Sequence, residues 1–489
     1  MGKYVLAIDQ GTTSSRCIIF DEKQQAIKSA SKPIENFFPQ PGWVEQDANE
    51  IWLSVLSCMA QIFADGAIRP EDIVSIGISN QRETTVVWDK DTGLPVYHAI
   101  VWQSRQTSDI VAKLKEDGLE PKIKEKTGLV LDPYFSASKI KWIRDNVEGV
   151  KERKNLLFGT IDTWLLWKMT NGKVHATDVT NASRTLLFNI HTLDWDDELL
   201  EIFDIPREML PEIKDTSGLF GHIDPSHFFN HSVPITALVG DQQAALFGEG
   251  CFEKGDIKNT YGTGGFILIN TGDKEIISKN GLLSTVAWKI KDEVKYALEG
   301  SIFVSGSLIQ WLRDGLLFFK DAAETEEIAK SVEDSNGVII VPAFTGLGAP
   351  YWNDRCQGAV FGLTRGVTYK NITRAALESM AYQSKDLVEV MQEDIGEKIR
   401  SLKVDGGASA NGYLLQFQSD ILGIPVVKPM NQETTALGAA RLSGLEVGYY
   451  SMADFKEDEC KIFNPAMHDE TVDRIYKRWL KAVKATQEF

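Results

Sequence analysis

Tyr4-Val5-Leu6-Ala7-Ile8-Asp9-Gln10-Gly11-Thr12-Thr13-Ser14-Ser15-Arg16 starts as an apolar, β-branched run and ends in small polar residues before β-type residues resume over 16–21. This reads as a strand, a tight turn and a second strand. Gly11 lets the backbone approach an anion, and the hydroxyls and successive N–H groups that follow can surround phosphate oxygens. Asp9, at the strand end, suits a water-shelled Mg2+. The device returns at 256–269, where Asp256-Ile257-Lys258-Asn259-Thr260 leads through Tyr261-Gly262-Thr263-Gly264-Gly265 into the apolar Phe266-Ile267-Leu268-Ile269. One copy per half suggests an internal duplication. A third turn, Val404-Asp405-Gly406-Gly407-Ala408-Ser409-Ala410-Asn411, leads into a helix whose N-terminus favours negative charge or close ligand packing. Each turn alone is ordinary. Together they fit a nucleotide held between two lobes, which needs phosphate contacts from both sides and room for its base.

The rest of the chain fits that picture. Its 489 residues exceed the roughly 250–300 at which a single core stops growing, so two large lobes and a cleft are expected. The formal charge of -17 repels phosphodiester backbones and anionic headgroups, which argues against nucleic-acid and membrane partners. The five cysteines stand far apart without CxxC spacing, as reduced cytoplasmic thiols do. The N-terminal apolar run is too short for an export signal, so a cytoplasmic location is expected.

Apolar periodicity predicts helices over 48–63, 110–115, 136–146, 242–247, 305–313, 373–391 and 411–422. Strands are predicted at 73–79, 85–88, 338–342, 401–405 and 425–428. This alternation argues an α/β fold with helices on the faces of the sheets. The second glycine hairpin begins a fresh β unit, which places the boundary near 249–255 and divides the chain into 1–249 and 250–489.

The three turns resemble the phosphate 1, phosphate 2 and adenosine motifs of the superfamily of actin, heat-shock ATPases and sugar kinases. More narrowly, the chain resembles the FGGY carbohydrate kinases. Tyr134-Phe135-Ser136-Ala137-Ser138-Lys139-Ile140-Lys141-Trp142-Ile143-Arg144-Asp145-Asn146 is similar to that family's first signature, and 358–363 with 371–378 to its second. Asn80-Gln81-Arg82-Glu83-Thr84-Thr85, Trp102-Gln103 and Gly240-Asp241-Gln242-Gln243-Ala244-Ala245 resemble the members that phosphorylate glycerol and differ from the xylulokinases. The resemblance implies two actin-like (ribonuclease H-like) lobes, each a mixed sheet flanked by helices, with the active site in the interlobe cleft. It implies ATP-dependent formation of sn-glycerol 3-phosphate in glycerol catabolism, with Mg2+ as the metal and a homo-oligomer, dimer or tetramer, as the assembly.

By that resemblance Arg82, Glu83, Tyr134, Asp241 and Gln242 contact glycerol, with Trp102 and Phe266 as an apolar wall. The residue types suit a neutral triol, which is recognised by convergent donors and acceptors and by contact along its carbons. As bare residues, Arg82-Glu83 also fits an exposed ion pair on a loop, Tyr134 a surface residue ahead of a helix, and Trp102 and Phe266 ordinary core. Asp241 follows an apolar run and Gly240 and opens a helix, which suits either a base facing the cleft or a helix N-cap. The resemblance makes Asp241 the base and Asp9 the metal residue. It gives Thr12, Thr13, Ser14, Arg16 and Thr263 to phosphate oxygens, and Gly306, Gln310, Gly407 and Asn411 to the nucleoside. It also places His227, in Ser226-His227-Phe228-Phe229-Asn230, where Gram-positive members carry a histidine phosphorylated by the phosphocarrier of the sugar phosphotransferase system, with Asn230 where glycine often follows. A kinase for another short polyol or ketose, or a nucleotide-switched binding protein, uses the same phosphate turns.

Overall fold

Val5 to Ile8 are fully buried in β1 (Tyr4–Gln10), as expected of a strand covered on both faces. The glycine turn folds the chain back antiparallel into β2 (Ser14–Phe20), and β3 (Ala26–Pro33) follows at the edge. Helix α1 (Ala48–Phe63), capped by the Asp47 side chain, crosses over to β4 (Ile73–Asn80), which lies parallel to β1 on its other side. After α2 (Ser136–Asn146) come β5 (Ser217–His222) and β6 (Pro234–Gly240), the latter parallel to β4 and running directly into α3 (Asp241–Gly248).

The second half repeats the scheme. Strands β7 (Ile257–Tyr261) and β8 (Gly265–Gly272) form the second glycine hairpin, followed by β9 (Leu283–Ile290), β10 (Glu293–Ile302) and α4 (Gly306–Asp314). Helix α5 (Tyr369–Ile395) precedes β11 (Leu402–Gly406), which is parallel to β7. Then come α6 (Gly412–Leu422), β12 (Val426–Pro429), α7 (Thr434–Glu446), β13 (Cys460–Phe463) and α8 (Asp469–Glu488). β7 sits between antiparallel β8 and parallel β11 as β1 sits between antiparallel β2 and parallel β4. The duplication suggested by the two glycine turns is therefore present in the strand pairing.

This computed structural model describes residues 2–353, 355–455 and 459–489. Among them, thirteen strands run in the order β13-β12-β11-β7-β8-β10-β9-β5-β6-β4-β1-β2-β3, the halves meeting at the pair Ser217–Ile290. Helix α7 returns from the second half and packs against α3, β4 and β1 of the first. Its approach needs glycine: a Cβ on Gly438 would lie 1.9 Å from the Ala244 carbonyl oxygen, and one on Gly248 1.9 Å from that of Thr434. The helix carrying Asp241 is thus held backbone to backbone against the other half. Among the described residues no helix is long and apolar enough to cross a membrane.

Candidate active site

Register brings the ends of β1, β4 and β6 together at one edge of the cleft. Asp9 lies opposite Ser79 in the parallel pair, and Ser79 Oγ donates to Asp9 Oδ1 at 3.0 Å. Burial pushes the Asp9 carboxyl up to about 6, against the opposing pull of Ser79 and Arg16. The turn beyond it is closed by Gly11 N–H to Ser14 O (2.9 Å) and leaves the Thr13 side chain exposed to solvent. Thr12 Oγ1 accepts from the Trp102 indole N–H at 2.9 Å, tying Trp102 to the first glycine turn. Arg16 is not free: its guanidinium pairs with Glu433, just ahead of α7. Across the cleft, Thr263 is exposed at the tip of the second hairpin, and its carbonyl accepts the N–H groups of Ser305 and Ser307.

The loop after β4 overturns the reading of Arg82-Glu83 as an exposed ion pair. Both residues are buried, at 3% and 1% exposure, and their own closest charged atoms are 4.0 Å apart. Each is paired elsewhere. Arg82 presents both terminal nitrogens to the Glu299 carboxylate on β10, and its Nε lies 3.3 Å from Asp241 Oδ1. Arg184 Nε donates to Glu83 Oε1 at 2.6 Å and Arg184 Nη2 to Glu299 Oε1 at 2.9 Å. Glu83 itself sits at φ +59°, in the left-handed region. Burial would raise the Glu299 carboxyl, yet Arg184 and Arg82 outweigh it and hold it down to about 2.

Tyr134, only 5% exposed, is not a surface residue either: Lys139, one turn into α2, donates to the carbonyls of residues 133, 134 and 135 and fixes it in place. Its ring lies 5.5 Å from Trp102, and Trp102 is 5.9 Å from Phe266, over which the Arg82 guanidinium rests at 5.9 Å. These aromatic residues line an interlobe cavity of about 380 Å³ together with Thr263 and Gly264. Phe266 and Trp102 are thus only partly buried and face the cleft, not closed core.

Asp241 is the first residue of α3, and the N-cap position belongs to Gly240. The N-cap reading of Asp241 therefore fails. Its carboxylate accepts the N–H of Gln242 at 2.7 Å and stays 28% exposed, beside Arg82. Burial raises the Asp241 carboxyl, while Arg82 and Lys258 pull it back. Gln242 Nε2 lies 3.3 Å from the other carboxylate oxygen.

Gly306, Gln310, Gly407 and Asn411 line a second cavity of about 550 Å³, together with Tyr261 and Gly262 of the second hairpin. A Cβ on Gly306 would lie 2.5 Å from the Gly262 carbonyl oxygen, so glycine is needed for α4 to start against the hairpin. Asn411 caps α6 through its oxygen, accepting from Leu414 N–H, and its amide N–H donates to Thr325 at 3.1 Å. His227 lies apart from these cavities, half-buried with its ring edge on Trp52 of α1 at 5.3 Å. Asn230 adopts φ +64°, the backbone that glycine supplies readily and that Asn tolerates better than most residues.

Arg184, Glu299, Lys258 and Gln243, whose Oε1 accepts from Arg82 Nη1 at 3.2 Å, were not among the residues expected here. Glu299 carried one signal, a charge directly after the apolar Tyr296-Ala297-Leu298 of strand β10. Arg184 carried none.

Residues 4–248 match the N-terminal domain and residues 257–446 the C-terminal domain of the FGGY family of carbohydrate kinases. The chain belongs to that family. It is 56% identical, over 100% of both chains, to the glycerol kinase of Geobacillus kaustophilus (strain HTA426) and likewise to the glycerol kinase of Thermus thermophilus. Among solved structures, Plasmodium falciparum glycerol kinase with ADP superposes with a TM-score of 0.92 at 37% identity, covering 99% of this chain and 98% of that one. A xylulose kinase from Lactobacillus acidophilus, 22% identical with a TM-score of 0.90 over 99% and 98% of the two chains, shares the two-lobed fold.

Proposed function

We propose that this protein is an ATP-dependent kinase that phosphorylates glycerol to sn-glycerol 3-phosphate, by in-line transfer with Asp241 as general base. The observation that carries the reading is the pairing of Asp241 Oδ1 with Arg82 Nε at 3.3 Å, beside an aromatic-walled cavity that also contains Thr263 of the second hairpin. Arg82 and Gln242 offer donors, Glu83 an acceptor and Tyr134 either, to the hydroxyls of a neutral triol, while Trp102 and Phe266 cover its carbons. Asp241 takes the proton of the terminal hydroxyl as that oxygen attacks the γ-phosphorus. Thr12, Thr13, Ser14 and Thr263 hold phosphate oxygens, with Arg16 joining them once it exchanges Glu433 for phosphate. Gly306, Gln310, Gly407 and Asn411 hold the nucleoside.

Asp9 fits Mg2+ through water. It is a hard oxygen donor at the cleft with a neighbouring carboxylate in Asp241, and among the described residues no cluster of three or more His, Cys, Asp or Glu offers direct coordination. Bound with the nucleotide, the ion would neutralise phosphate charge. The two lobes divide near 249–255, in a cytoplasmic homo-oligomer, dimer or tetramer. His227 is the acceptor for the phosphohistidine phosphocarrier: a ring nitrogen is nucleophilic near neutral pH, and its loop leads into β6 and Asp241.

The test is ADP release across a panel of polyols and ketoses, read as kcat/KM. Preference for glycerol supports the reading, whereas turnover indifferent to every polyol, or favouring a ketose, contradicts it. For His227, labelling by phosphoenolpyruvate, enzyme I and the phosphocarrier should be lost in His227→Ala; equal labelling of both proteins, or none of either, contradicts its role.

A further inference from the structure

Beneath Asp241 lies a fully buried cation to which the mechanism above gives no role. Lys258, on β7 just ahead of the second glycine turn, is 0% exposed. Its Nζ donates to Gln242 Oε1 at 2.5 Å and to Thr260 Oγ1 at 2.7 Å. An ammonium only donates, whereas a carboxamide has a donor end and an acceptor end. Lys258 can therefore engage only the oxygen of the Gln242 amide, and in doing so it turns the NH2 group the other way. That NH2 is the group lying 3.3 Å from Asp241 Oδ2. With the amide reversed, a carbonyl oxygen would face the Asp241 carboxylate and an NH2 group would face the ammonium, and both contacts would be repulsive.

The rest of the pocket leaves Lys258 to this task. Glu249, at the end of α3, and Asp405, at the end of β11, flank it, and Lys403 from β11 is occupied by the carbonyls of residues 249 and 250. Among the described residues no donor hydrogen-bonds to either carboxylate oxygen of Glu249 or to Oδ1 of Asp405. Burial, reinforced by Asp405, pushes the Glu249 carboxyl well above its ordinary value. Burial lowers the Lys258 ammonium from its ordinary value, opposed by the carboxylates of Asp405, Glu249 and Asp241. Asp241 is met from the loop after β4 by Arg82, from β1 by Asp9 and from β7 by Lys258.

We infer that Lys258 is a positioning residue for phosphoryl transfer, locking the Gln242 amide in the orientation that donates to Asp241. The strand that carries the second phosphate turn thereby sets the geometry of the base in the facing half. The inference rests on the reading of Asp241 as the base.

The test is a double-mutant cycle in the full-length enzyme with Lys258→Met and Gln242→Leu, measuring kcat and the KM values for glycerol and ATP. Lys258→Met should lower kcat roughly ten- to a hundredfold, the cost of a misplaced catalytic group, and leave the KM for ATP unchanged. In the Gln242→Leu background, Lys258→Met should cost little more, because the residue through which it acts is gone. Lys258→Gln, which retains a donor, should recover part of kcat. If Lys258→Met fails to fold, Lys258→Gln takes its place in the cycle, with a smaller loss that again vanishes beside Gln242→Leu. Additive losses, or a kcat unchanged by either substitution, would overturn the inference. Asp241→Asn measured alongside separates the two claims. Collapse of its turnover with a normal Lys258→Met removes only the role of Lys258, whereas normal turnover of Asp241→Asn removes the reading beneath it.

Discussion

Glu299→Gln keeps the shape of a fully buried side chain and removes the charge that two arginines share. In the wild type the carboxylate accepts from both terminal nitrogens of Arg82, from Arg184 at 2.9 Å and from Ser301 at 3.2 Å. Its pKa, held at about 2 against an ordinary 4.5, corresponds to about 3 kcal/mol of differential stabilisation of the charged form. That agrees with the 3–5 kcal/mol typical of breaking one partner of a buried ion pair. The folded-state value is depressed, so this contribution is full above pH 4.5 and is lost as the pH falls from there toward 2. The variant should unfold at a lower urea concentration by about 3 kcal/mol near neutral pH, and should lack this part of the wild-type loss of stability in acid. Its KM for glycerol should rise as well, because Arg82 loses the carboxylate that aims it. An unchanged unfolding midpoint with an unchanged KM would refute the assignment of Glu299 as the anchor of Arg82.

Arg82→Ala should raise the KM for glycerol at least about tenfold, since charge-assisted hydrogen bonds are worth about 1.5–3 kcal/mol; steady-state kinetics with saturating ATP checks this. Gly438→Ala places a methyl group 1.9 Å from the Ala244 carbonyl oxygen, so α3 and α7 must part. A stability loss of about 1–3 kcal/mol is expected in denaturant unfolding, together with a lower kcat, because Asp241 rides on α3.

Local pattern carried the elements with a clean apolar stripe: α1 and α2 occupy the spans that their periodicity predicts. Helix α7 escaped because Thr434-Thr435-Ala436-Leu437-Gly438-Ala439-Ala440 is small and buried on nearly all sides, which leaves no polar face to set a period. The glycine turns were legible because a tight turn between strands is local, written in a few consecutive residues. The proposed glycerol contacts were read only through family resemblance. The partners that bury Arg82 and Glu83 lie 217 residues away at Glu299 and 101 away at Arg184, and nothing in the intervening sequence announces those contacts. Of the two readings of Asp241, the backbone speaks only to the cap: Gly240 takes the extended cap position and Asp241 is the first helical residue.

The central claim is that Asp241 accepts the proton of glycerol. Asp241→Asn preserves the shape of the side chain and removes the base, so kcat should fall about 10²–10⁴-fold while the Kd for glycerol, measured by calorimetry, changes far less. A variant that turns over glycerol at close to the wild-type kcat would contradict the account.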